Sequence, residues 1–182
     1  MIPKTIRDVT PSWLSSTLGF EVADIEVTKI GEGIGLLGDI YKVELSSGDH
    51  LPKSVVVKLP SSFEANREQG IALGMFEAEV RFYNQLGPMI NVGLPKIYHA
   101  DISEGTADFV IVMEDLTDLI MVVQSDGMSN LQAEAAVKVL AKIHSVWWGR
   151  MEGNEFNWIP SMIGPRIEFV TQSLSDMFPK FA

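Results

Sequence analysis

Cysteine is absent from the 182 residues. Its absence excludes disulfides, thiolate metal sites and cysteine nucleophiles, and leaves the redox compartment open. Positive charge is scarce as well: 14 Lys and Arg stand against 24 Asp and Glu, a formal charge of −10. Nucleic acid and anionic membrane surfaces select basic patches, so neither is expected as a partner. No apolar run approaches the roughly 20 residues that span a bilayer, and the first nineteen residues lack the unbroken apolar stretch of a signal peptide. The cytoplasm is the default location. Low-complexity segments and internal repeats are also missing. What is present is a globular composition, 46% hydrophobic with a mean hydropathy of +0.15. A chain of this length buries about 70% of its unfolded surface, so a real core is expected.

The rest of the chain is organised around Lys29 to Leu59, a glycine-rich loop between two β-type runs. Gly33, Gly35 and Gly38 read G-x-G-x-x-G, a spacing found in both dinucleotide-binding and kinase phosphate loops. Glycine suits either, because backbone amides must approach phosphate oxygens closely and a Cβ would forbid some of the dihedrals needed. A dinucleotide loop must open a helix. Here Ile40 to Leu45 continues as a strand instead, with Ile40, Val43 and Leu45 apolar, which favours a phosphate-covering hairpin. A plain glycine-rich turn is the bland alternative, and an oxidoreductase of dinucleotide type requires a helix after Gly38. The next strand, Val55-Val56-Val57-Lys58, ends in a cation and matches V-A-I-K in register with the hairpin. A buried lysine needs an anion; a lysine snorkelling from a strand end needs none.

Thr10-Pro11 starts a short helix that ends near Gly19, Asp24 to Ile30 forms the first strand, and Ser47-Gly48-Asp49 turns between the second and third. Ser61 to Gly70 reads as a polar loop. From Ala72 the period becomes helical, with Met75, Phe76, Glu79, Phe82, Tyr83 and Leu86 on one side and Gly87-Pro88 at the end. Glu79 shares the face of Phe76 and Tyr83 and is the expected partner of Lys58. Glu77 faces elsewhere and is the second choice; a solvated acid is the third. Strands follow at Lys96 to Ile102 and Phe109 to Met113, and Glu114-Asp115-Leu116 closes the last. A long helix capped by Ser129 or Asn130 carries two apolar rows, Leu131/Ala135/Val139/Ile143 and Ala136/Leu140/His144/Trp147, and reads as core-facing. Pro165 opens a final helix with Ile167, Val170, Leu174, Met177 and Phe178 along one stripe.

The order Gly33-x-Gly35-x-x-Gly38, Val57-Lys58, Glu79-x-x-Phe82-Tyr83, Met113-Glu114-Asp115-Leu116 and Leu140-Ala141-x-Ile143-His144-x-x-Trp147 resembles the aminoglycoside phosphotransferase and choline kinase-like superfamily. It looks most like the branch that includes ecdysteroid kinase-like proteins, and the resemblance runs from Trp13 to about Trp158. It implies an α+β fold. Residues 1–116 would be a kinase-like N-lobe, with a sheet of about five antiparallel strands plus one helix, and its hinge; residues 117–182 would be the first helices of an incomplete helical C-lobe. It also implies an ATP-dependent phosphotransferase acting on a hydroxyl of a small organic substrate, with ATP and Mg²⁺ as cofactors. The glycine loop would cover the β/γ phosphates, Lys58 would hold the α/β phosphates, and Glu79 would position Lys58. Backbone groups near Met113, Glu114, Asp115 and Leu116 would bind the adenine edge.

The family's catalytic loop, a His-Gly-Asp type with an asparagine five residues on, and its later metal-binding aspartate are expected beyond Ala182. His99-Ala100-Asp101 imitates the first, but Thr106 stands where the asparagine should, and Asp108-Phe109 is followed by Val110 rather than glycine. Both sit in predicted strands ahead of the hinge and are rejected. Phosphoryl transfer needs an acceptor for the substrate proton and a ligand for the metal. The expectation is therefore a truncated or inactive form that binds nucleotide weakly and transfers little, with no catalytic or metal-binding residue assigned. The alternative is a non-catalytic nucleotide-binding or protein-interaction module. The bare stripe of the last helix would favour a homodimer in either case.

Overall fold

The computed structural model describes residues 1–31, 37–150, 156–159, 163 and 165–178. Helix α1 (Pro11–Leu18) starts where Thr10 leaves the extended conformation, its Oγ1 accepting the Trp13 N–H at 3.2 Å, and stops at Gly19. Five strands follow: β1 (Ile25–Ile30), β2 (Gly38–Leu45), β3 (Ser54–Pro60), β4 (Ile97–Ile102) and β5 (Phe109–Glu114). They form one antiparallel sheet in the order β1-β2-β3-β5-β4. The fold is α+β, as the resemblance implies, and a strand leaves Gly38, so the dinucleotide-type reading fails.

Pairing of Lys58 with Ile40 on one side and Ile111 on the other defines the two faces of the sheet. Directly opposed residues share a face and successive ones alternate. One face carries Val43, Val55, Val57, Leu59, Val110 and Val112, packed under α1 and the N-terminal segment through Leu14 and Val9. The opposite, inner face carries Ile40, Lys42, Val56, Lys58, Phe109, Ile111 and Met113. Helix α3 (Met75–Arg81) covers part of it with Phe76 and Val80, the Phe76 ring stacking on Phe109 at 4.8 Å between centroids.

Residues 61–70 depart from expectation. Most of that polar stretch lies in helix α2 (Glu64–Ala72), which has no apolar periodicity to announce it, since Gly70 is its only buried residue. What holds α2 is tertiary: Arg67 Nη1 donates to the Ser61 carbonyl at 2.7 Å, and Gly70 lies under the Phe76 ring, where a Cβ would come within 2.2 Å of Cζ. The expected helix over 72–86 is likewise divided. Leu73 and Gly74 separate α2 from α3, and Phe82–Leu86 continues α3 as a π-helical turn before Gly87.

Helix α4 (Asn130–Trp147) begins at Ser129, whose Oγ accepts the Gln132 N–H at 3.3 Å while Gln132 accepts the Ser129 N–H at 2.8 Å. The expectation that α4 faces a core is not met. None of its residues is buried, and no described element packs extensively on it. Helix α5 (Pro165–Met177) follows the predicted bounds.

Candidate nucleotide-binding site

Lys58 sits near the end of β3 on the inner face, one side-chain row from Val56. Its Nζ lies 2.7 Å from both carboxylate oxygens of Glu79, so α3 does supply its anion. Both side chains keep some exposure, 22% and 30%, which leaves the ammonium accessible to a ligand. Glu77, the second choice, is two residues earlier and on the opposite side of the helix, where it bonds Arg81 Nη2 at 2.7 Å instead. Arg81 Nη2 also reaches Glu104 at 2.9 Å, tying α3 to the turn between β4 and β5. Tyr83 stands a turn beyond Glu79; its burial, and then the Glu79 charge, push its phenol up, so it remains neutral beside the ion pair.

Gly38 opens β2 directly beside this pair. A Cβ there would stand 3.0 Å from the Leu59 carbonyl and 3.1 Å from Lys58 Cε. A side chain there would crowd the lysine stem and the Leu59 carbonyl by a few tenths of an ångström. Gly33 and Gly35 lie outside the described residues.

The other predicted residues end β5. Met113 is opposite Val56 and continues the apolar strip that Ile40 and Val56 make on the inner face. Glu114 is part of β5: its N–H donates to the Lys96 carbonyl at 2.8 Å and its carboxylate accepts the Lys96 N–H at 3.0 Å. Beyond it the chain turns. The Leu116 carbonyl accepts the Leu119 N–H at 2.9 Å, whereas the Leu116 N–H bonds no described residue. The inner face thus brings Lys58, Glu79 and Gly38 together at one end and the Met113–Leu116 segment at the other, with apolar side chains between. A flat apolar base over Val56 and Met113, with its phosphates reaching Lys58, fits that arrangement.

Asp115 is not a solvated strand end. Its side chain is 8% exposed and accepts Ser54 Oγ–H at 2.6 Å, the Thr117 N–H at 2.9 Å and Lys42 Nζ at 3.2 Å. Burial alone would raise this carboxyl, but these bonds outweigh it and hold the group well below the usual carboxylate range. Sequence reasoning missed Lys42, Ser54 and Thr117. The Asp115-x-Thr117 spacing, which suits a carboxylate bonding a backbone amide two residues on, was the available signal.

The rejected imitations are structural. His99 packs edge-on against Trp13 at 6.0 Å within β4, and Asp108 pairs with Lys4 ahead of the fully buried Phe109. Among the described residues, no group of three or more metal-ligating side chains could hold a metal ion.

The family model of the ecdysteroid kinase-like family matches residues 35–155, more than half of the chain. The chain belongs to that family. Membership makes it kinase-like and phosphotransferase-related, and the matched span contains Gly38, Lys58, Glu79 and the whole Met113–Leu116 segment. No curated protein matches the chain significantly. Among the described residues, no helix is long and apolar enough to cross a membrane.

Proposed function

We propose that this ecdysteroid kinase-like chain binds ATP on the inner face of its sheet, as the nucleotide lobe of a phosphotransferase acting on a hydroxyl of a small organic substrate. The Lys58–Glu79 ion pair carries the reading. A half-buried lysine held by a helix carboxylate is oriented to receive phosphate oxygens, with Glu79 restricting its rotamers. Lys58 takes the α/β phosphates, and the glycine-rich loop containing Gly33, Gly35 and Gly38 covers the β/γ phosphates. The Leu116 N–H donates to the adenine edge, and Val56, Ile40 and Met113 exclude water from the base. Residues 1–116 form this lobe and hinge, and residues 117–182 belong to a helical lobe. ATP supply places the activity in the cytoplasm. ATP is accompanied by Mg²⁺ in kinase-like families, but no described residue is assigned to the metal, to the substrate or to the substrate's proton.

The test is ATP-dependent thermal stabilisation of wild type and Lys58→Ala. At an ATP concentration of about 100 times Kd, binding stabilises by about 2.7 kcal/mol, roughly 5–10 °C for a chain of this size. Lys58→Ala should remove that shift while leaving the Tm without ATP nearly unchanged. An undiminished shift would take Lys58 out of the site.

A second reading, a nucleotide-binding or interaction module without transferase activity, has its own observation. Along α5, Ile167, Val170 and Leu174 lie on one face and are all at least 36% exposed. Such a stripe favours association with a second copy. Sedimentation of wild type and Leu174→Asp tests it: a dimer that ATP does not affect and Leu174→Asp dissolves supports the module.

A further inference from the structure

The carboxylate of Asp115 joins three elements at the point where the chain leaves the sheet. It lies on the inner face, at the next same-face position after Met113. Ser54 Oγ, from the first residue of β3, donates to Oδ2 at 2.6 Å, and Lys42 Nζ, from the middle of β2, lies 3.2 Å from the same oxygen. The other oxygen, Oδ1, accepts the Thr117 N–H at 2.9 Å, closing an Asx turn around Leu116. Lys42 completes the ring by donating to Thr117 Oγ1 at 3.3 Å. A carboxylate that is 8% exposed and has both oxygens engaged is fixed in place.

The backbone it fixes is the segment that offers the Leu116 N–H. The Leu116 C=O and the Thr117 N–H are the two ends of one peptide unit, and both are bonded inside the turn; the Leu116 N–H belongs to the unit before it, held between that fixed unit and Glu114 of β5. Nothing else among the described residues takes that N–H. Glu114, two residues before Leu116, is tied the other way, to Lys96 of the chain entering β4. The turn is thus anchored on both sides, and Asp115 is the side chain that anchors it to β2 and β3, the two strands that also carry Gly38 and Lys58.

We propose that Asp115 is a positioning residue for base recognition: through Ser54, Lys42 and the Thr117 amide it aims the Leu116 N–H at the edge of the nucleotide base. It does not touch the phosphates. This rests on the ATP-binding reading above, and it separates two ends of one site, a base end set by Asp115 and a phosphate end set by Lys58 and Glu79. A clamp of this kind changes affinity for ligands that have a base and leaves affinity for a bare phosphate chain alone.

The experiment measures Kd by calorimetry for ATP and for inorganic tripolyphosphate, on wild type, Asp115→Asn, Ser54→Ala and Lys58→Ala. Asp115→Asn should weaken ATP about tenfold or more, for the loss of one well-aimed hydrogen bond and of the turn that aims it. Its Kd for tripolyphosphate should stay within about twofold of wild type. Ser54→Ala keeps the carboxylate and two of its bonds, and should show the same selective loss at about threefold. It serves as the milder variant should Asp115→Asn unfold. Lys58→Ala should weaken both ligands together. Equal losses of ATP and tripolyphosphate in Asp115→Asn or Ser54→Ala would reduce the clamp to general stability and overturn the proposal. So would an unchanged ATP affinity in Ser54→Ala. Wild type that binds tripolyphosphate but gains nothing from the base overturns it while leaving the Lys58 end standing. Wild type that binds neither removes the ATP reading, and this proposal with it.

Discussion

The sheet and the helices after it use similar amounts of apolar sequence to opposite effect. In β3 and β5, Val55, Val57, Ile111 and Val112 are completely buried between two covered faces. In α4, Leu131 is 78% and Leu140 50% exposed, although the helix is longer than any strand and is capped at Ser129. Apolar pattern therefore secured a regular element in both settings but burial in only one. A helix face is buried by what packs on it, and among the described residues nothing packs extensively on α4.

The largest expected effect lies at the junction of the two inner-face layers. Phe109 is completely buried and stacks on Phe76, so Phe109→Ala should cost about 3–5 kcal/mol in urea unfolding. A loss below about 1 kcal/mol would mean that α3 is not seated on the sheet as described. Gly70→Ala should follow at about 1–3 kcal/mol, because its Cβ would enter the Phe76 ring and α3 must shift to admit it. The same shift would move Glu79, so ATP stabilisation should fall along with stability.

Acid titration sharpens the contrast between a clamped carboxylate and solvated ones. Asp115 has its folded-state pKa depressed, so its contribution is fully present above the unfolded value of about 4 and is lost as pH falls through the folded value. The stability difference between wild type and Asp115→Asn should thus be constant from pH 7 down to about 5 and shrink below about 4. A difference that does not change with pH would show that the carboxylate's charge is not what the clamp uses.

The smallest effects are expected in α4. Ser129→Ala removes the cap bond to Gln132 and should cost about 1 kcal/mol of helix stability, read as faster amide exchange in the first turn. Leu140→Ala should stay within about 0.5 kcal/mol, as at other exposed positions. A cost of 2 kcal/mol or more, the size expected for a buried leucine, would mean that this face is covered in solution and would erase the contrast with the sheet.

Features that depend on a few neighbouring residues could be read directly. Thr10-Pro11 and Ser129 start their helices because a side-chain oxygen a few atoms away satisfies an orphan N–H, whatever the rest of the chain does. Alternation and a central run of valines marked the strands, and helical phase alone put Glu79, rather than Glu77, on the side of Lys58. Family motifs extended this to the order of the elements.

Other features had no local signature. Helix α2 exists because Gly70 fits beneath Phe76 and Arg67 reaches the Ser61 carbonyl, and both partners lie outside the helix. Asp115 became a clamp only when Ser54, 61 residues earlier, and Lys42 were brought to the same corner of the sheet. The close approach of Gly38 to the Lys58 stem is likewise a contact between two strands, where a Cβ would stand 3.1 Å from Lys58 Cε. Caps and periodicities are satisfied within one or two turns of backbone and so are written in adjacent residues. Burial, close approach and the environment of a charge depend on distant segments meeting, and folding alone sets them.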